Sequence, residues 1–453
     1  MFFSILLFFL HNYTISYIII PFYTYKTYFS DINTSNYYSI QNFIRNELYS
    51  YLTIGTPPQK ITTKINFNEY SFNIYNNKCE IPSEYNSIDN NSTTRINKGY
   101  ILTDVYIDTF LLEDIFSFPF DLNKNIKLNY IYASMDNNDF ERNIEKKKYT
   151  CANIGLKLSV DYAGTSDLNL LRELKSLDII ENYVFYLYYN NSKKEEGNLI
   201  IGKWPHEIDK DKYNILLYRE IYAINNKFTL CWMIRFDKIF FKYNHKNSAS
   251  IYNLKNNFEA EIDYNLNIIY GSLEFMELIE QVYFNSKIVN GICKKINLSK
   301  NNLIYYECEF SLDIKSFPEV YFYHKELSFE FSLTYEDVFI LNNNKYIFAI
   351  WFESSENKNI WKLGKPFIKK YLFTFDLEKK TIGYYLNKKE FPNNLIEEEK
   401  KINIKYSIFA LVILSAIAFI LCFVITKFYY SQRNKNMKDK KLTELIYLND
   451  DIK

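Results

Sequence analysis

The chain has 453 residues and is 48% hydrophobic, which is enough apolar material for the cores of two or three ordinary domains. Its 54 Lys and Arg nearly balance its 53 Asp and Glu, so no general electrostatic field favours nucleic acid or an acidic substrate. The four histidines lack metal-ligand spacing and no phosphate-binding glycine loop occurs. We therefore expect no nucleic-acid partner, no metal and no cofactor.

The chain begins with an apolar run over residues 2–10 that is typical of the hydrophobic region of a secretory signal. We therefore predict a signal peptide or signal-anchor over residues 1–22 and entry into the secretory pathway. Acceptor patterns for N-linked glycans fit a glycoprotein of that pathway, although an Asn-rich chain yields many such matches by chance. The acceptor residues are Asn33, Asn90, Asn91, Asn190 and Asn297.

The middle of the chain consists mostly of short runs of Val, Ile, Tyr and Phe bounded by Asn, Asp, Gly and Ser, which predicts a mostly β fold. Helical spacing of apolar residues occurs over residues 166–177, behind a Ser-Asp cap, and again directly after Gly271. Each half of this region contains an apolar strand, a turn and a second strand. That pattern indicates a diverged internal duplication.

A second apolar segment lies near the C-terminus, where residues 406–426 carry no charge. Its 21 residues are enough for a helix to cross a hydrocarbon core of ~30 Å. Lys and Arg are abundant after this segment, so the positive-inside rule predicts a cytosolic tail. The chain is thus expected to be a single-pass type I membrane protein whose N-terminal part is lumenal or extracellular.

A cluster of Lys, Asp and Pro over residues 204–213 marks a boundary between two halves of similar size. The predicted organisation after the signal is an N-terminal lobe over residues 47–205, a C-terminal lobe over 206–387, a stalk over 388–405, a transmembrane helix over 406–426 and a cytosolic tail over 427–453.

The cysteines carry a further structural prediction. Of the six, Cys422 lies in the predicted membrane span, so an odd number precedes it and at least one is a free thiol or bridges to another chain. Cys293 and Cys308 are close in sequence and flank an Asn-rich loop, so we predict a disulfide between them. The pairing of Cys79, Cys151 and Cys231 stays open.

Three motifs, in order along the chain, resemble those of the pepsin-like aspartic proteases. Residues 54–59 read I-G-T-P-P-Q, the strand and turn that precede the first catalytic loop in that family. Residues 260–271 read A-E-I-D-Y-N-L-N-I-I-Y-G, against the second loop A-x-V-D-T-G-T-S-L-L-x-G. Residues 361–376 resemble the family's W-x-L-G-D-x-F-x-R-x-Y-x-x-x-F-D.

The resemblance runs from about residue 51 to residue 385 and implies a bilobal pepsin-like fold. A membrane-anchored subgroup of the family, which includes some plasmepsins, shares the C-terminal span. The resemblance therefore implies a mostly β, plasmepsin-like peptidase fold with a C-terminal transmembrane helix.

The same resemblance implies a degenerate active site. Counting on from the first motif, the family's first catalytic aspartate falls on Asn66, and the second falls on Asp263. Aspartic proteolysis uses two carboxylates that share one proton around a water molecule. An amide cannot ionise, so Asn66 cannot share a proton with Asp263 and a normal dyad cannot form.

Other groups of the family's site are replaced as well. The threonine hydroxyls that tie the two loops together and the glycines that allow close backbone approach are lost, the flap tyrosine falls on Ile96, and Lys365 replaces an aspartate after Leu-Gly. We expect the bulk of the two new aromatic residues to fill the floor of the cleft. The candidate cleft-lining residues are Phe67, Asn68, Glu69, Ile96, Tyr264 and Asn265.

Three functional hypotheses follow. The first is a catalytically inactive aspartic protease homologue that binds protein or peptide. The second is an active aspartic-type endopeptidase with an unorthodox dyad, in which a local shift presents Glu69 to Asp263. The third is a structural surface ectodomain in which the cleft has no role.

Overall fold

A computed structural model describes the chain in stretches separated by gaps. The described residues are 17–24, 37–75, 92–100, 108–118, 126–134, 152–158, 169–190, 195–224, 231–245, 248–254, 257–298, 302–353, 360–386 and 421–431, with residues 433 and 437. Residues up to Leu386 form one compact unit, and residues 387–453 form a second.

Strands dominate the first unit, as the alternation of apolar and polar residues predicts. They are β1 (Ile18–Thr24), β2 (Leu48–Ile54), β3 (Gln59–Asn66), β4 (Phe72–Tyr75), β5 (Ile96–Tyr100), β6 (Asp108–Ser117), β7 (Ile126–Ser134), β8 (Ala152–Gly155), β9 (Val184–Tyr189), β10 (Glu196–Ile201), β11 (Tyr218–Tyr222), β12 (Met233–Phe236), β13 (Lys238–His245), β14 (Ser248–Asn253), β15 (Phe258–Ile262), β16 (Ile269–Gly271), β17 (Cys293–Leu298), β18 (Leu303–Glu309), β19 (Glu319–His324), β20 (Phe329–Leu333), β21 (Phe339–Asn342), β22 (Lys345–Phe348), β23 (Ile350–Glu353), β24 (Ile360–Leu363), β25 (Phe373–Asp376) and β26 (Thr381–Tyr385).

Helices are short. They are α1 (Tyr37–Ile44), α2 (Leu170–Ser176), α3 (Pro205–Ile208), α4 (Leu273–Ile279), α5 (Asn285–Val289), α6 (Tyr335–Val338) and α7 (Lys365–Ile368), with 3-10 turns at Ile215–Leu217 and Ile314–Ser316 and a π-helical turn at Glu280–Phe284. The helix predicted after Gly271 is confirmed, and Ser272 caps it by accepting from the Phe275 N–H. The helix predicted over residues 166–177 is capped by Asn169 instead of the Ser-Asp pair, because the Asn169 side chain accepts from the Leu171 N–H.

The two halves repeat one pattern of strand pairing around their loops. In the first half β3 pairs in parallel with β8, β4 pairs antiparallel with β8, and β4 pairs in parallel with β7. In the second half β15 pairs in parallel with β24, β16 pairs antiparallel with β24, and β16 pairs in parallel with β23. The predicted internal duplication is therefore visible in the topology. The first half presents a loop between β3 and β4, and the second half presents a corresponding loop between β15 and β16.

Within the described residues, thirteen strands form one sheet that joins the halves. It contains the ten first-half strands together with β11, β25 and β26 of the second half, and β25 pairs antiparallel with β9. The other second-half strands form a nine-stranded sheet and a four-stranded sheet. Cys293 and Cys308 face each other across the β17–β18 hairpin and form a disulfide, the pair expected from the sequence.

The N-terminal lobe begins earlier than the predicted residue 47. Strand β1 pairs with β10 over six residues, and its alternate side chains Ile18, Ile20 and Phe22 are buried. Helix α1 buries Ile40, Phe43 and Ile44. Residues 18–22 of the predicted signal segment therefore belong to the folded lobe in this structure, because they complete a sheet that would otherwise expose an apolar edge.

Several sequence predictions fall outside the described residues. They concern residues 1–16, the stalk over 388–405, most of the predicted membrane span, Cys79, Cys151, Asn33, Asn90 and Asn91. Among the residues that the structure describes, no helix is long and apolar enough to cross a membrane. Residues 421–431 at the end of the predicted span are helical.

Candidate active site

The first loop begins at Asn66, the last residue of β3. Asn66 is 8% exposed, and its side-chain oxygen accepts a 3.0 Å hydrogen bond from the Asn68 N–H. The loop then turns back over β8, where Gly155 leaves room for it, since a Cβ there would lie 2.5 Å from the Tyr70 carbonyl carbon. Asn66, the residue predicted for the first dyad position, thus carries an amide that closes its own turn.

The second loop begins at Asp263, directly after β15. The Asp263 N–H donates to the Leu363 carbonyl at 3.1 Å, and its carboxylate accepts from the Asn265 N–H at 2.8 Å. The side chain is 3% exposed. The Asp263 carboxylate therefore caps its own turn, as the Asn66 side chain does in the first loop.

The environment of Asp263 opposes its ionisation. Burial raises the pKa of Asp263 to about 6, and the nearby Glu261 carboxylate acts in the same direction. The Asn265 N–H, the Lys362 ammonium and the Asn68 side chain oppose this rise by favouring the charged form. Asp263 is therefore a carboxyl that changes charge in the mildly acidic range.

A charged pair next to Asp263 was not singled out from the sequence. Glu261 and Lys362 are directly paired residues on the parallel strands β15 and β24, and their side chains form a 3.3 Å ion pair. Cys231 carries a free thiol. Burial raises the pKa of this thiol to about 12, and the nearby Glu261 carboxylate acts in the same direction. The sequence places Glu261 and Lys362 within two otherwise apolar strands, and a charge in such a strand needs an oppositely charged partner. Only the register of the sheet shows that each is the partner of the other.

The two loops are tied together by one carboxamide from the second loop. Asn265 accepts a 2.8 Å hydrogen bond from the Phe67 N–H and donates a 3.1 Å hydrogen bond to the Ile65 carbonyl. The threonine hydroxyls that tie the loops in the family are absent from the sequence, and the Asn265 carboxamide makes a connection between the loops instead. A carboxamide carries both a donor and an acceptor, so Asn265 alone satisfies two backbone groups of the first loop.

Phe67 and Tyr264, which the sequence predicts to fill the floor of the cleft, pack against each other in the interior. Their rings stack with centroids 4.6 Å apart, and both residues are buried. Phe67 also contacts the rings of Phe185 and Phe375, which belong to the sheet that joins the halves. The side chains turn inward because apolar rings gain more from this aromatic core than from an exposed position.

Glu69 is held within the first half. Its carboxylate accepts hydrogen bonds of 2.7 Å from the Asn153 amide and 3.5 Å from the Asn73 amide. Its backbone carbonyl accepts from the Lys157 N–H at 2.8 Å. The charged neighbours that act on Asp263 are Glu261 and Lys362, so this conformation does not pair Glu69 with Asp263.

The remaining predicted cleft residues, Asn68 and Ile96, are exposed. Asn68 is exposed and Ile96 is 47% exposed, at the start of β5, which forms a hairpin with β6. Residues 101–107 between these strands lie outside the described residues. Ile96 therefore cannot supply a hydrogen bond in place of a tyrosine hydroxyl, because its side chain carries no polar group.

A sequence model of the family described as eukaryotic aspartyl protease matches residues 47–385. The chain belongs to the eukaryotic aspartyl protease family. A comparison with curated proteins gave no significant match. The family match covers both halves and both loops, so Asn66 and Asp263 stand at corresponding places of a duplicated aspartyl protease frame.

Within this family the site presents one carboxylate and one amide at the paired loop positions. The described residues contain no cluster of side chains suited to hold a metal ion. The titratable and polar groups at the site are the buried carboxyl of Asp263, its amide neighbours and the Glu261–Lys362 pair.

Proposed function

We propose that the chain is a catalytically inactive member of the aspartyl protease family that binds protein or peptide through its interlobe region. The observation that carries this proposal is the amide at position 66. The side chain of Asp263 has amide partners, the Asn265 N–H and the Asn68 side chain, where a catalytic dyad requires a second carboxylate.

The chemical reason is the division of labour in aspartic proteolysis. One carboxylate takes a proton from water while its protonated partner donates to the scissile carbonyl. Asp263 can take only one of these roles in a given protonation state, and the Asn66 carboxamide can neither accept nor release a proton at physiological pH. The reaction then lacks its acid or its base.

An active endopeptidase with an unorthodox dyad is the second candidate. It is favoured by the pKa of Asp263 at about 6, since a group that titrates close to the working pH is suited to general acid or base catalysis. Glu261 is the carboxylate near Asp263 in this structure, but it forms an ion pair with Lys362, which competes with any proton sharing between Glu261 and Asp263.

The deciding experiment is cleavage of a diverse peptide library by the purified full-length chain in detergent, between about pH 4 and pH 7.5. The matched control is Asp263→Asn, which keeps the shape of the side chain and removes its charge. We expect no cleavage by either protein and retention of some library peptides by both. Cleavage that is lost in the control would overturn the proposal in favour of the endopeptidase.

We also propose that the folded unit is displayed on the lumenal or extracellular side of a membrane by a helix over residues 406–426. The support is the uncharged 21-residue segment followed by a basic tail. In sealed vesicles, protease added outside should remove an epitope placed after residue 453 and spare the folded unit. The opposite protection pattern would overturn this orientation.

A further inference from the structure

The folded unit ends beside the short turn that precedes β11. Leu386, the last residue of the unit, donates its N–H to the Leu217 carbonyl at 2.9 Å. Tyr385 pairs with Tyr218 across β26 and β11, and their ring centroids are 5.1 Å apart. The chain therefore leaves the folded unit directly next to the 3-10 turn Ile215–Leu217, which we call the exit turn.

The exit turn presents apolar side chains to solvent. Ile215 is 59% exposed and its neighbour Leu216 is 47% exposed. Ile208, at the end of α3 in the same connection, is also exposed. Single exposed apolar residues are ordinary at protein surfaces, but two neighbours on one turn form a small apolar projection beside the chain exit.

Hydrogen bonds fix the exit turn. The Asn214 side chain accepts from the Leu216 N–H at 2.9 Å, and the Asn214 carbonyl accepts from the Leu217 N–H at 3.0 Å. The Arg219 guanidinium donates to the Leu216 carbonyl at 2.7 Å. The turn is thus formed before any contact, so a surface that receives Ile215 and Leu216 does not have to order their backbone.

Aromatic residues with polar ends lie around the exit turn. The Tyr385 ring contacts those of Tyr213 and Tyr218, with centroids 5.1 Å away in each case. Trp204 stacks on His206, whose ring also contacts Tyr385. All five rings are half-buried. Trp and Tyr are enriched where proteins meet the boundary between lipid and water, because each combines an apolar ring with one hydrogen-bonding group.

Charge around the exit turn is nearly balanced. Residues 207–220 carry three basic and four acidic side chains, and all of them are exposed. A strongly charged partner therefore finds no complementary field here, and the contact depends on the apolar residues. A zwitterionic lipid surface, which has no net charge of its own, matches this pattern.

The predicted anchor keeps the exit turn close to a bilayer. Residues 387–405 lie between the folded unit and the predicted span, and this length of chain reaches at most ~65 Å when fully extended. A tether of this kind gives an effective concentration on the order of millimolar. A contact too weak to form from free solution is therefore populated when the chain is anchored.

We propose that Ile215 and Leu216 insert into the interfacial layer of the bilayer that anchors the chain, so that the folded unit rests on the membrane by the face through which its chain leaves. The partner is a zwitterionic lipid surface. This inference rests on the proposed membrane display and names the residues that meet the lipid.

The test uses the full-length chain reconstituted in phosphatidylcholine vesicles with bromine near the headgroup end of the acyl chains. Bromine quenches tryptophan fluorescence on contact, and the native tryptophans give the same background in every protein. The emission added by Ile215→Trp should fall by at least about half relative to ordinary phosphatidylcholine, because an inserted side chain reaches the boundary between headgroups and acyl chains.

Ile96→Trp is the matched control. Ile96 is 47% exposed and lies in β5, at the opposite end of the thirteen-stranded sheet from β11. Its added emission should be unchanged by the bromine. Both substitutions are at exposed positions, so neither disturbs the core.

Alkaline extraction of the vesicles separates the two proposals. If the chain is retained and the emission added by Ile215→Trp is quenched no more than that of Ile96→Trp, the docking surface is rejected while the membrane anchor stands. If alkaline extraction releases the chain, the anchor is rejected and the docking surface with it.

Discussion

Asp263 shows how burial changes the acidity of a carboxyl group. In an isolated peptide its carboxyl would have a pKa of about 3.9, whereas burial and Glu261 raise the pKa of Asp263 to about 6 in the folded chain. The folded state therefore holds this proton more tightly than the unfolded state. Stability from this group is greatest below about pH 4 and falls as pH rises towards about 6.

Asp263→Asn should consequently stabilise the chain at pH 7.5 and leave it almost unchanged at pH 4. The expected gain in the free energy of unfolding at pH 7.5 is roughly 1–3 kcal/mol, because the substitution removes a buried charge. Urea denaturation of the full-length chain at both pH values measures it. Asp211→Asn, at an exposed residue, is the control and should have little effect; a gain of equal size at both pH values for Asp263→Asn would contradict the account.

Asn265 carries the connection between the loops. Asn265→Ala leaves the buried Phe67 N–H and Ile65 carbonyl without their partners, so we expect a loss of about 2–4 kcal/mol in the free energy of unfolding. Thermal melting compares this variant with Asn290→Ala, which alters an exposed asparagine and should be nearly neutral. A loss no larger than that of the control would show that the loops are held by other contacts.

At the scale of elements, the β17–β18 hairpin depends on its disulfide. The cysteines are 15 residues apart, and a crosslink that closes a loop of this length contributes about 3 kcal/mol in the chain-entropy account. The double change Cys293→Ser/Cys308→Ser should lower the free energy of unfolding by about that amount. A reductant should then destabilise the unaltered chain by more than it destabilises the variant; equal destabilisation of the two proteins would contradict this assignment.

The N-terminal elements β1 and α1 set where the folded unit begins. A chain that starts at residue 47 lacks β1, a strand of the joining sheet, and lacks α1, so that Trp351 and the other buried apolar residues beneath α1 become exposed. We expect it to aggregate, because a strand edge and an apolar surface become exposed together. A chain that starts at residue 17 should stay monodisperse in size-exclusion chromatography. Equal behaviour of the two chains would show that β1 and α1 are dispensable.

At the scale of the whole molecule, the halves share a sheet, an aromatic core and a charged contact. Lys365, from α7 of the second half, forms a 2.9 Å ion pair with Glu195, which precedes β10 of the first half. The Thr24 hydroxyl also donates to the Glu195 carboxylate. Burial alone would raise the pKa of Glu195, but hydrogen bonds from Lys365 and Thr24 lower it below its usual value.

Lys365→Glu should lower the free energy of unfolding by about 1 kcal/mol, a modest value because the pair is partly exposed. The double change Lys365→Glu/Glu195→Lys should recover most of that loss, since it restores opposite charges across the halves. Melting temperatures at low and high salt measure both effects. Equal destabilisation by the single and the double change would mean that packing, and not charge, dominates at this contact.

The sequence by itself determined the frame of this protein. The turn over residues 54–59, the second loop and the motif over residues 361–376 are contiguous segments whose local geometry depends on their own residues. The pairing of Cys293 with Cys308 was likewise readable, because the two cysteines are neighbours on one hairpin.

Only the tertiary structure decided how the site is built. Asn265 reaches Phe67, which is 198 residues away in sequence, and Glu261 meets Lys362 through strand register. The inward turn of Phe67 and Tyr264 and the seat of α1 on the second loop depend on the same folding of one half against the other. These contacts could not be read from the chain, because hydrogen bonds and apolar packing form between groups that are close in space, and spacing along the sequence does not give that distance.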